Sequence, residues 1–323
     1  MYDYLRKGLI TLSALGMTLS PLALHKNQVQ ADESLKVGVI QYVEHESLDQ
    51  NYQGFVDGLK EAGYEEGKNL ELNYVNAAGD NANLQSMSES VGKNSDYLFA
   101  IATPVAQALA NIEKEKPIYI SSVTDPVSAG LVESLEKPNT NVTGTIDAGP
   151  LKEQVALISQ VAPNAKKVGL IYNSGEANSV SEAKLAKKEL ETAGYQVAEQ
   201  TVTSTNDISQ VMQSLVADKV DALFTVTDNT IASAMTLVGD MAIEAKLPLV
   251  GGSRDMVLNR GLVTYGLDYY ELGKQTAKML VDQVKSGKDT KDIPIQTAAK
   301  LDFVVNKDVA QALGIDPESI KTE

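Results

Sequence analysis

The chain has 323 residues, of which 43% are hydrophobic and 22% are charged, a composition typical of a globular protein with room for two medium-sized domains. Its formal net charge of −15 repels phosphate backbones and anionic lipid head groups, which argues against a nucleic-acid partner. Because the sequence contains no cysteine, disulfides, thiolate zinc sites and a cysteine nucleophile are excluded.

The first element in chain order has the pattern of an export signal. Arg6 and Lys7 precede an apolar run over residues 8–24, and the polar stretch after that run ends at Ala31. The pattern predicts a secretory signal over residues 1–31 that is cleaved after Ala31. An uncleaved N-terminal anchor is the alternative, although the run is short for a membrane span and contains a proline. We therefore expect the protein to work outside the cytoplasmic membrane.

Two later stretches of the chain alternate strands with helices. The first stretch is predicted to contain strands at 36–42, 70–75, 97–102 and 117–122, with helices at about 50–63, 81–92 and 104–114. The second is predicted to contain strands at 167–172, 195–202, 221–226 and 248–251, with helices at about 179–193, 206–217 and 229–245. Strands such as KVGVI, YLFAIA and ALFTV are apolar on both faces, as in a parallel sheet covered by helices, so both stretches indicate doubly wound α/β units.

The two stretches also match each other in sequence. KVGVI begins at residue 36 and KVGLI at residue 167, and LKEAGY at 59–64 matches LETAGY at 190–195 at the same offset. PIYISSVTDPVSAGLV, from residue 117, matches PLVGGSRDMVLNRGLV, from residue 248, at that offset too. Such a repeat predicts two lobes of similar topology.

Polar residues crowd the predicted carboxyl ends of these strands, where open parallel sheets bind their ligands. The polar segments are QYVEHES (41–47), ATP (102–104), SSVTDP (121–126), YNSGEANS (172–179), TVTDNT (225–230) and GGSRD (251–255). Many of these residues also precede helices, so capping of the next helix is an alternative role for each of them. A helix N-terminus beside a hydroxyl suits a carboxylate ligand, and the two roles are compatible.

Motifs for chemistry are missing from the sequence. It contains no Gly-rich nucleotide-binding fingerprint and no nucleophile elbow, so no cofactor is expected and we do not expect an enzyme. His45 is the one histidine outside the predicted signal, which argues against a histidine metal site. A lone histidine in a polar loop indicates a surface or ligand-contacting residue.

Three segments carry a resemblance to a known family. GFVDGLKEAGYEEGKNLELNY (54–74), SSVTDPVSAGLV (121–132) and LDFVVNKDVAQALGI (301–315) resemble the substrate-binding proteins of bacterial ABC importers, in particular the branch for tryptophan and other aromatic amino acids. The resemblance covers residues 35–315 and implies a type I periplasmic-binding-protein fold, in which two α/β lobes with a hinge close on a ligand. The lipid-modified cysteine of many Gram-positive members is absent here.

The resemblance also implies where the chain passes between the lobes. The crossings are expected near VTGTID (142–147), TYGLDYY (264–270) and KDIPIQT (291–297). Lobe 1 would then contain residues 35–144 and about 267–293, and lobe 2 would contain residues 145–266 and about 294–323.

A free amino acid, most simply tryptophan or phenylalanine, is the ligand that this resemblance implies. Hydroxyls of Thr103, Ser122 and Thr124 suit its carboxylate. Asp228 is the first candidate for its ammonium, and the rivals are Glu44, Asp125 and Asp268. The other candidate contacts are His45, Asn173, Ser174, Asn178, Thr227 and Ser253, with Tyr42, Tyr172 or Tyr269 to stack on an aromatic ring. Capping and core packing remain the alternative roles of these residues.

The expected function is therefore the solute-binding component of an ABC importer, a monomer that delivers an amino acid to the permease and ATPase subunits. A ligand-binding sensor or regulatory protein of the same fold is an alternative, and an extracellular α/β enzyme is another. Turnover assays would separate the enzyme from the two binding proteins.

Overall fold

The computed structural model describes residues 34–322, and the predicted export signal lies outside them. These residues form two α/β lobes, each built on a six-stranded sheet. No helix within this part of the chain is both long enough and apolar enough to cross a membrane.

The first lobe begins the described chain. Its elements are β1 (Leu35–Gln41), α1 (Glu46–Glu61), β2 (Leu70–Asn76), α2 (Asn81–Lys93), β3 (Tyr97–Ile101), α3 (Thr103–Ile112), β4 (Ile118–Val123) and β5 (Val142–Ile146). The second lobe follows with α4 (Leu151–Val161), β6 (Lys167–Asn173), α5 (Ala177–Thr192), β7 (Gln196–Val202), α6 (Ile208–Ala217), β8 (Ala222–Thr225), α7 (Asn229–Ser233), α8 (Met235–Glu244), β9 (Leu249–Val250), α9 (Arg254–Leu258) and β10 (Val263–Leu267).

The last part of the chain returns to both lobes. Its elements are α10 (Tyr269–Ser286), β11 (Gln296–Thr297), β12 (Leu301–Val305) and α11 (Lys307–Leu313). Strand β11 pairs with β5 of the first sheet, and β12 pairs with β10 of the second. Residues 145–146 and 296–297 thus belong to the first sheet, a few residues beyond the expected limits of lobe 1.

The two sheets share one topology. The strand order is β2-β1-β3-β4-β5-β11 in the first sheet and β7-β6-β8-β9-β10-β12 in the second. The two KVG strands, β1 and β6, occupy equivalent positions, which confirms the prediction of two similar α/β lobes. The sheets differ at one edge, because β12 runs antiparallel to β10 whereas β11 runs parallel to β5.

Three features of the fold differ from the sequence prediction. Helix α1 begins at Glu46, earlier than expected, with His45 in an extended conformation before it. The helix predicted over 229–245 is broken at Ala234, whose φ of −114° and ψ of 19° leave helical geometry. Strand β9 shortens to two residues. The early start of α1 matters most, because it carries the helix N-terminus to the space between the lobes.

Helix α10 packs tightly on α1 and so ties the first lobe to the hinge. A Cβ atom added at Gly273 would lie 2.0 Å from the backbone oxygen of Asn51, and one added at Gly54 would lie 1.9 Å from the backbone oxygen of Tyr270. Only glycine permits the two backbones to approach so closely. The first residue of α10, Tyr269, is thereby held near the N-terminus of α1.

Candidate ligand-binding cleft

A cavity lies between the two lobes, at the carboxyl ends of strands from both sheets. It encloses about 290 Å³ of empty space, including the part that opens toward solvent. Its lining residues are His45, Ser47, Leu48, Ser122, Thr124, Asp147, Asn178, Thr227, Asp228, Asn229, Ala232, Ser253, Met256 and Tyr269. None of these is a lysine or an arginine.

The structure brings together part of the predicted site. The predicted residues that line the cavity are His45, Ser122, Thr124, Asn178, Thr227, Asp228, Ser253 and Tyr269. The predicted residues that do not line it are Tyr42, Glu44, Thr103, Asp125, Asn173, Ser174 and Asp268.

Two of the three tyrosines predicted to stack on a ligand ring serve the cores of the lobes. Tyr42 is buried, and its hydroxyl donates to the backbone oxygen of Gly79 at 3.3 Å. Tyr172 is also buried, and its hydroxyl donates to Glu199 Oε1 at 2.7 Å. Tyr269 alone among the three lines the cavity.

Two of the carboxylates considered for the ammonium have local structural roles. Asp268 caps α10 by accepting from the backbone N–H of Glu271, and its second oxygen accepts from Arg254 at 2.6 Å. Asp125 accepts from the backbone N–H of Ser128 at 3.0 Å in the turn after β4.

Four further candidates lie outside the cavity because they are exposed, buried elsewhere or bonded to another residue. Glu44 and Ser174 are exposed to solvent. Thr103 is buried at the start of α3. The Asn173 side chain turns away to donate to Thr230 Oγ1 at 2.6 Å.

Asp228 lines the cavity and also caps α7. One carboxylate oxygen accepts from the backbone N–H of Ile231 at 2.8 Å, and the other accepts from the backbone N–H of Asn173 at 2.6 Å. Burial raises the pKa of Asp228, and the negative charge of Glu176 raises it further. Both oxygens therefore accept hydrogen bonds from the protein backbone. The bond from Ile231 is the helix cap that was the alternative role of Asp228.

Buried Glu176 completes a polar cluster behind α7. Its two oxygens accept from the backbone N–H groups of Asn229 and Thr230, and from the side chains of the same two residues. The cluster fixes the orientation of the Asn229 amide at the edge of the cavity.

Asp147 was missed by the sequence reasoning, although it lines the cavity and is only 3% exposed. Its Oδ2 accepts from the hydroxyl of Tyr269 at 2.9 Å. Burial raises the pKa of Asp147, while the hydrogen bond from Tyr269 lowers it. Its position directly after strand β5 could have identified it, because other predicted site residues also follow strands.

Two hydrogen bonds join the lobes across the cavity. Ser47 Oγ donates to Asp255 Oδ2 at 2.8 Å, and His45 Nε2 lies 3.3 Å from Asn229 Oδ1. Burial lowers the pKa of His45 to about 4, so the ring is neutral at physiological pH. These contacts require the lobes to be close together, so the structure represents a closed form.

Three apolar residues also line the cavity. They are Leu48 of α1, Ala232 of α7 and Met256 of α9, and they come from both lobes. The sequence reasoning missed these residues because an apolar residue on a helix is indistinguishable from a core residue until the lobes are placed. Within residues 34–322 no group of three or more acidic or histidine side chains is arranged to hold a metal ion.

The chain is similar in sequence and in structure to proteins that bind aromatic amino acids. The chain is 37% identical over 278 residues to a tyrosine-binding protein of Clostridioides difficile, covering 86% of this chain and 80% of that protein. The crystal structure of an ABC domain in complex with L-Trp from Streptococcus pneumoniae has a TM-score of 0.84 at 38% identity, covering 88% of this chain and 96% of that one.

A third relative bears on the conformation. A ligand-free, open structure of a substrate binding protein with adhesive properties from Clostridium difficile is also 38% identical, covering 87% of this chain and 96% of that one, but its TM-score is 0.67. At equal identity, the present structure is thus closer to the L-Trp complex than to the open form, in agreement with the hydrogen bonds between the lobes.

The family model for ABC transporter substrate binding proteins matches residues 36–322, almost all of the described chain. The relatives named above are a tyrosine-binding protein, a domain in complex with L-Trp and a substrate binding protein, and the two solved structures match the fold of this chain. The chain therefore belongs to the ABC transporter substrate binding protein family.

Proposed function

We propose that this protein binds a free aromatic amino acid in the cleft and delivers it to the membrane subunits of an ABC importer. The observation that carries the proposal is the cavity itself, whose lining combines apolar residues with buried carboxylates and hydroxyls and has no lysine or arginine. Relatives that bind tyrosine or L-Trp support the aromatic class of ligand.

The charges of the cavity favour a ligand that carries an ammonium group. Asp147 and Asp228 line it, and Asp255 lies just behind it with a hydrogen bond to Ser47. A ligand carrying only negative charge would meet these carboxylates with no cation to offset them, which is costly in a buried site.

The carboxylate of the amino acid requires neutral donors instead. Ser122 is 6% exposed, and within residues 34–322 its hydroxyl has no hydrogen-bond partner. The N-terminus of α1 also reaches the cavity through Ser47 and Leu48, and the His45 side chain does not cap it. Its first N–H groups are free for an anion, and the helix dipole favours negative charge at that position.

The side chain of the ligand would lie against the apolar residues that line the cavity. Leu48 and Met256 come from opposite lobes, so a ring placed between them loses water on both faces when the lobes close.

Closure provides the transport mechanism that we propose. The ligand contacts both lobes, and the Ser47–Asp255 and His45–Asn229 hydrogen bonds form only when the lobes meet. Binding energy therefore favours the closed form, and a permease would recognise that form outside the cytoplasmic membrane. We further propose that the protein is exported as a monomer. The chain was expected to pass between the lobes near residues 142–147, 264–270 and 291–297, and we propose passages at 147–150, 268 and 298–300, between the last element of one lobe and the first of the other.

A thermal-shift screen against the twenty amino acids tests this proposal. A ligand at one hundred times its Kd stabilises the folded protein by about 2.7 kcal/mol through mass action. We expect tryptophan, phenylalanine or tyrosine to raise the melting temperature, and aspartate, lysine and glycine to leave it unchanged. A shift with no aromatic amino acid, or with an unrelated ligand class only, would refute the proposal.

A further inference from the structure

Two buried acceptor atoms in the cleft have no partner. Asp147 is 3% exposed and Asn178 is 5% exposed, and both line the same cavity. In the described part of the chain, Asp147 Oδ1 and Asn178 Oδ1 make no hydrogen bond. Leaving such an acceptor unpaired costs roughly 1–3 kcal/mol, so two in one cavity indicate that a ligand supplies the donors.

The rest of each side chain is held by the protein. The Tyr269 hydroxyl donates to Asp147 Oδ2 at 2.9 Å, and burial raises the pKa of Tyr269 well above its usual range, so the hydroxyl keeps its proton. The Asn178 Nδ2 group donates to the backbone oxygen of Thr227 at 3.0 Å. This bond assigns the amide orientation and directs Oδ1 away from the Thr227 carbonyl.

We infer that Asp147 and Asn178 together receive the α-ammonium group of the bound ligand, which rests on the proposed amino-acid function. An ammonium group has three N–H donors and no acceptor, so it satisfies two acceptor-only oxygens and neutralises the buried carboxylate. Asp147 follows β5 of the first lobe, and Asn178 lies on α5 of the second. The ammonium thus bridges the lobes and favours their closure.

The competing carboxylates are less suited to this role. Both oxygens of Asp228 already accept backbone N–H groups, from Asn173 and Ile231. Asp255 also has an unpaired oxygen, Oδ1, but its Oδ2 accepts from Ser47 and the residue is absent from the cavity lining. Asp147 is the cavity-lining carboxylate with an unpaired oxygen.

The test compares an amino acid with its analogue that lacks the ammonium group. Calorimetry would measure the affinity of L-tryptophan, or of whichever aromatic amino acid binds most tightly, and of the corresponding 3-arylpropionate. Asp147→Asn keeps the shape of the side chain and removes its charge, and Asp125→Asn, in the turn after β4 and outside the cavity lining, is the matched control. Asn178→Ala is a second variant, and thermal melting confirms that each variant is folded.

We expect the wild-type protein to prefer the amino acid by about thirtyfold or more, since truncating one partner of a buried charge pair has effects of this size. Asp147→Asn should reduce that preference to less than about tenfold, Asn178→Ala should reduce it in part, and Asp125→Asn should retain it. A wild-type preference that survives in Asp147→Asn, or that disappears in Asp125→Asn, overturns the inference while leaving the proposed function in place. Failure of every amino acid to bind the wild-type protein refutes the proposed function and the subsite together.

Discussion

Glu182 offers a direct test of how strongly the cleft disfavours negative charge in the absence of a ligand. It lies on α5 beside the cavity and is 6% exposed, and its Oε2 accepts from the backbone N–H of Thr227 at 2.8 Å. Burial raises the pKa of Glu182 from 4.5 to about 7, and the nearby charges of Asp147 and Asp228 add to the effect.

The size and sign of the effect follow from this pKa. Above pH 7 the carboxylate is ionised in both the folded and the unfolded state, and the raised pKa corresponds to a cost of about 3 kcal/mol in the folded state. As the pH falls below 7 the folded protein binds a proton that the unfolded chain binds only near 4.5, so the free energy of unfolding rises. Between pH 8.5 and 6.5 the gain from this one group is roughly 1 kcal/mol.

The assay is urea unfolding of the ligand-free protein at pH 6.5 and at pH 8.5. His45, whose lowered pKa acts in the opposite direction as the pH falls toward 6.5, is present in the wild-type protein and in each variant, so its contribution cancels in the comparison. Glu182→Gln should be more stable than the wild-type protein at pH 8.5 and should lose roughly 1 kcal/mol of the wild-type pH dependence. Glu191→Gln, at an exposed position of the same helix, should leave both quantities unchanged. An unchanged pH dependence in Glu182→Gln would refute the reasoning.

Two further substitutions and one sequencing experiment test other parts of the account. Ser47→Ala removes the hydrogen bond to Asp255 between the lobes and should weaken ligand affinity roughly tenfold in calorimetry, and an unchanged affinity would show that this bond does not favour closure. Gly273→Ala should lower the free energy of unfolding by about 1–3 kcal/mol in urea because its Cβ meets the α1 backbone, whereas Gly92→Ala, where a Cβ meets nothing within 4 Å, should be neutral or stabilising. N-terminal sequencing of the exported protein should give Asp32 as the first residue, and a start at Met1 would indicate an uncleaved anchor.

Local sequence patterns were sufficient to predict most of the fold. Strands such as KVGVI are apolar on both faces because helices cover both sides of a parallel sheet, and β1 and β6 lie where that pattern indicated. The internal repeat then predicted the common topology of the lobes. The break at Ala234 was not predictable, because nothing in the residues from 229 to 245 excludes a continuous helix.

The cleft was predictable only in part. Hydroxyl and carboxylate residues at strand ends, such as Ser122 and Asp228, could be identified because parallel strands end on one edge of the sheet. Their roles depend on partners far away in sequence, and Asp228 is held by the backbone of Asn173, which no local pattern shows. Leu48 and Met256 meet only when the two lobes close, so their part in the cavity depends on tertiary geometry alone.

The central claim is that the cleft holds a free aromatic amino acid. A crystal structure of the protein grown with a saturating concentration of L-tryptophan, L-tyrosine or L-phenylalanine tests it most directly. The account predicts closed lobes, one amino acid in the cavity, its ring between Leu48 and Met256, and its ammonium group within hydrogen-bond distance of Asp147. An amino acid bound outside the cavity, or closed lobes around an empty cavity with all three amino acids, would contradict it.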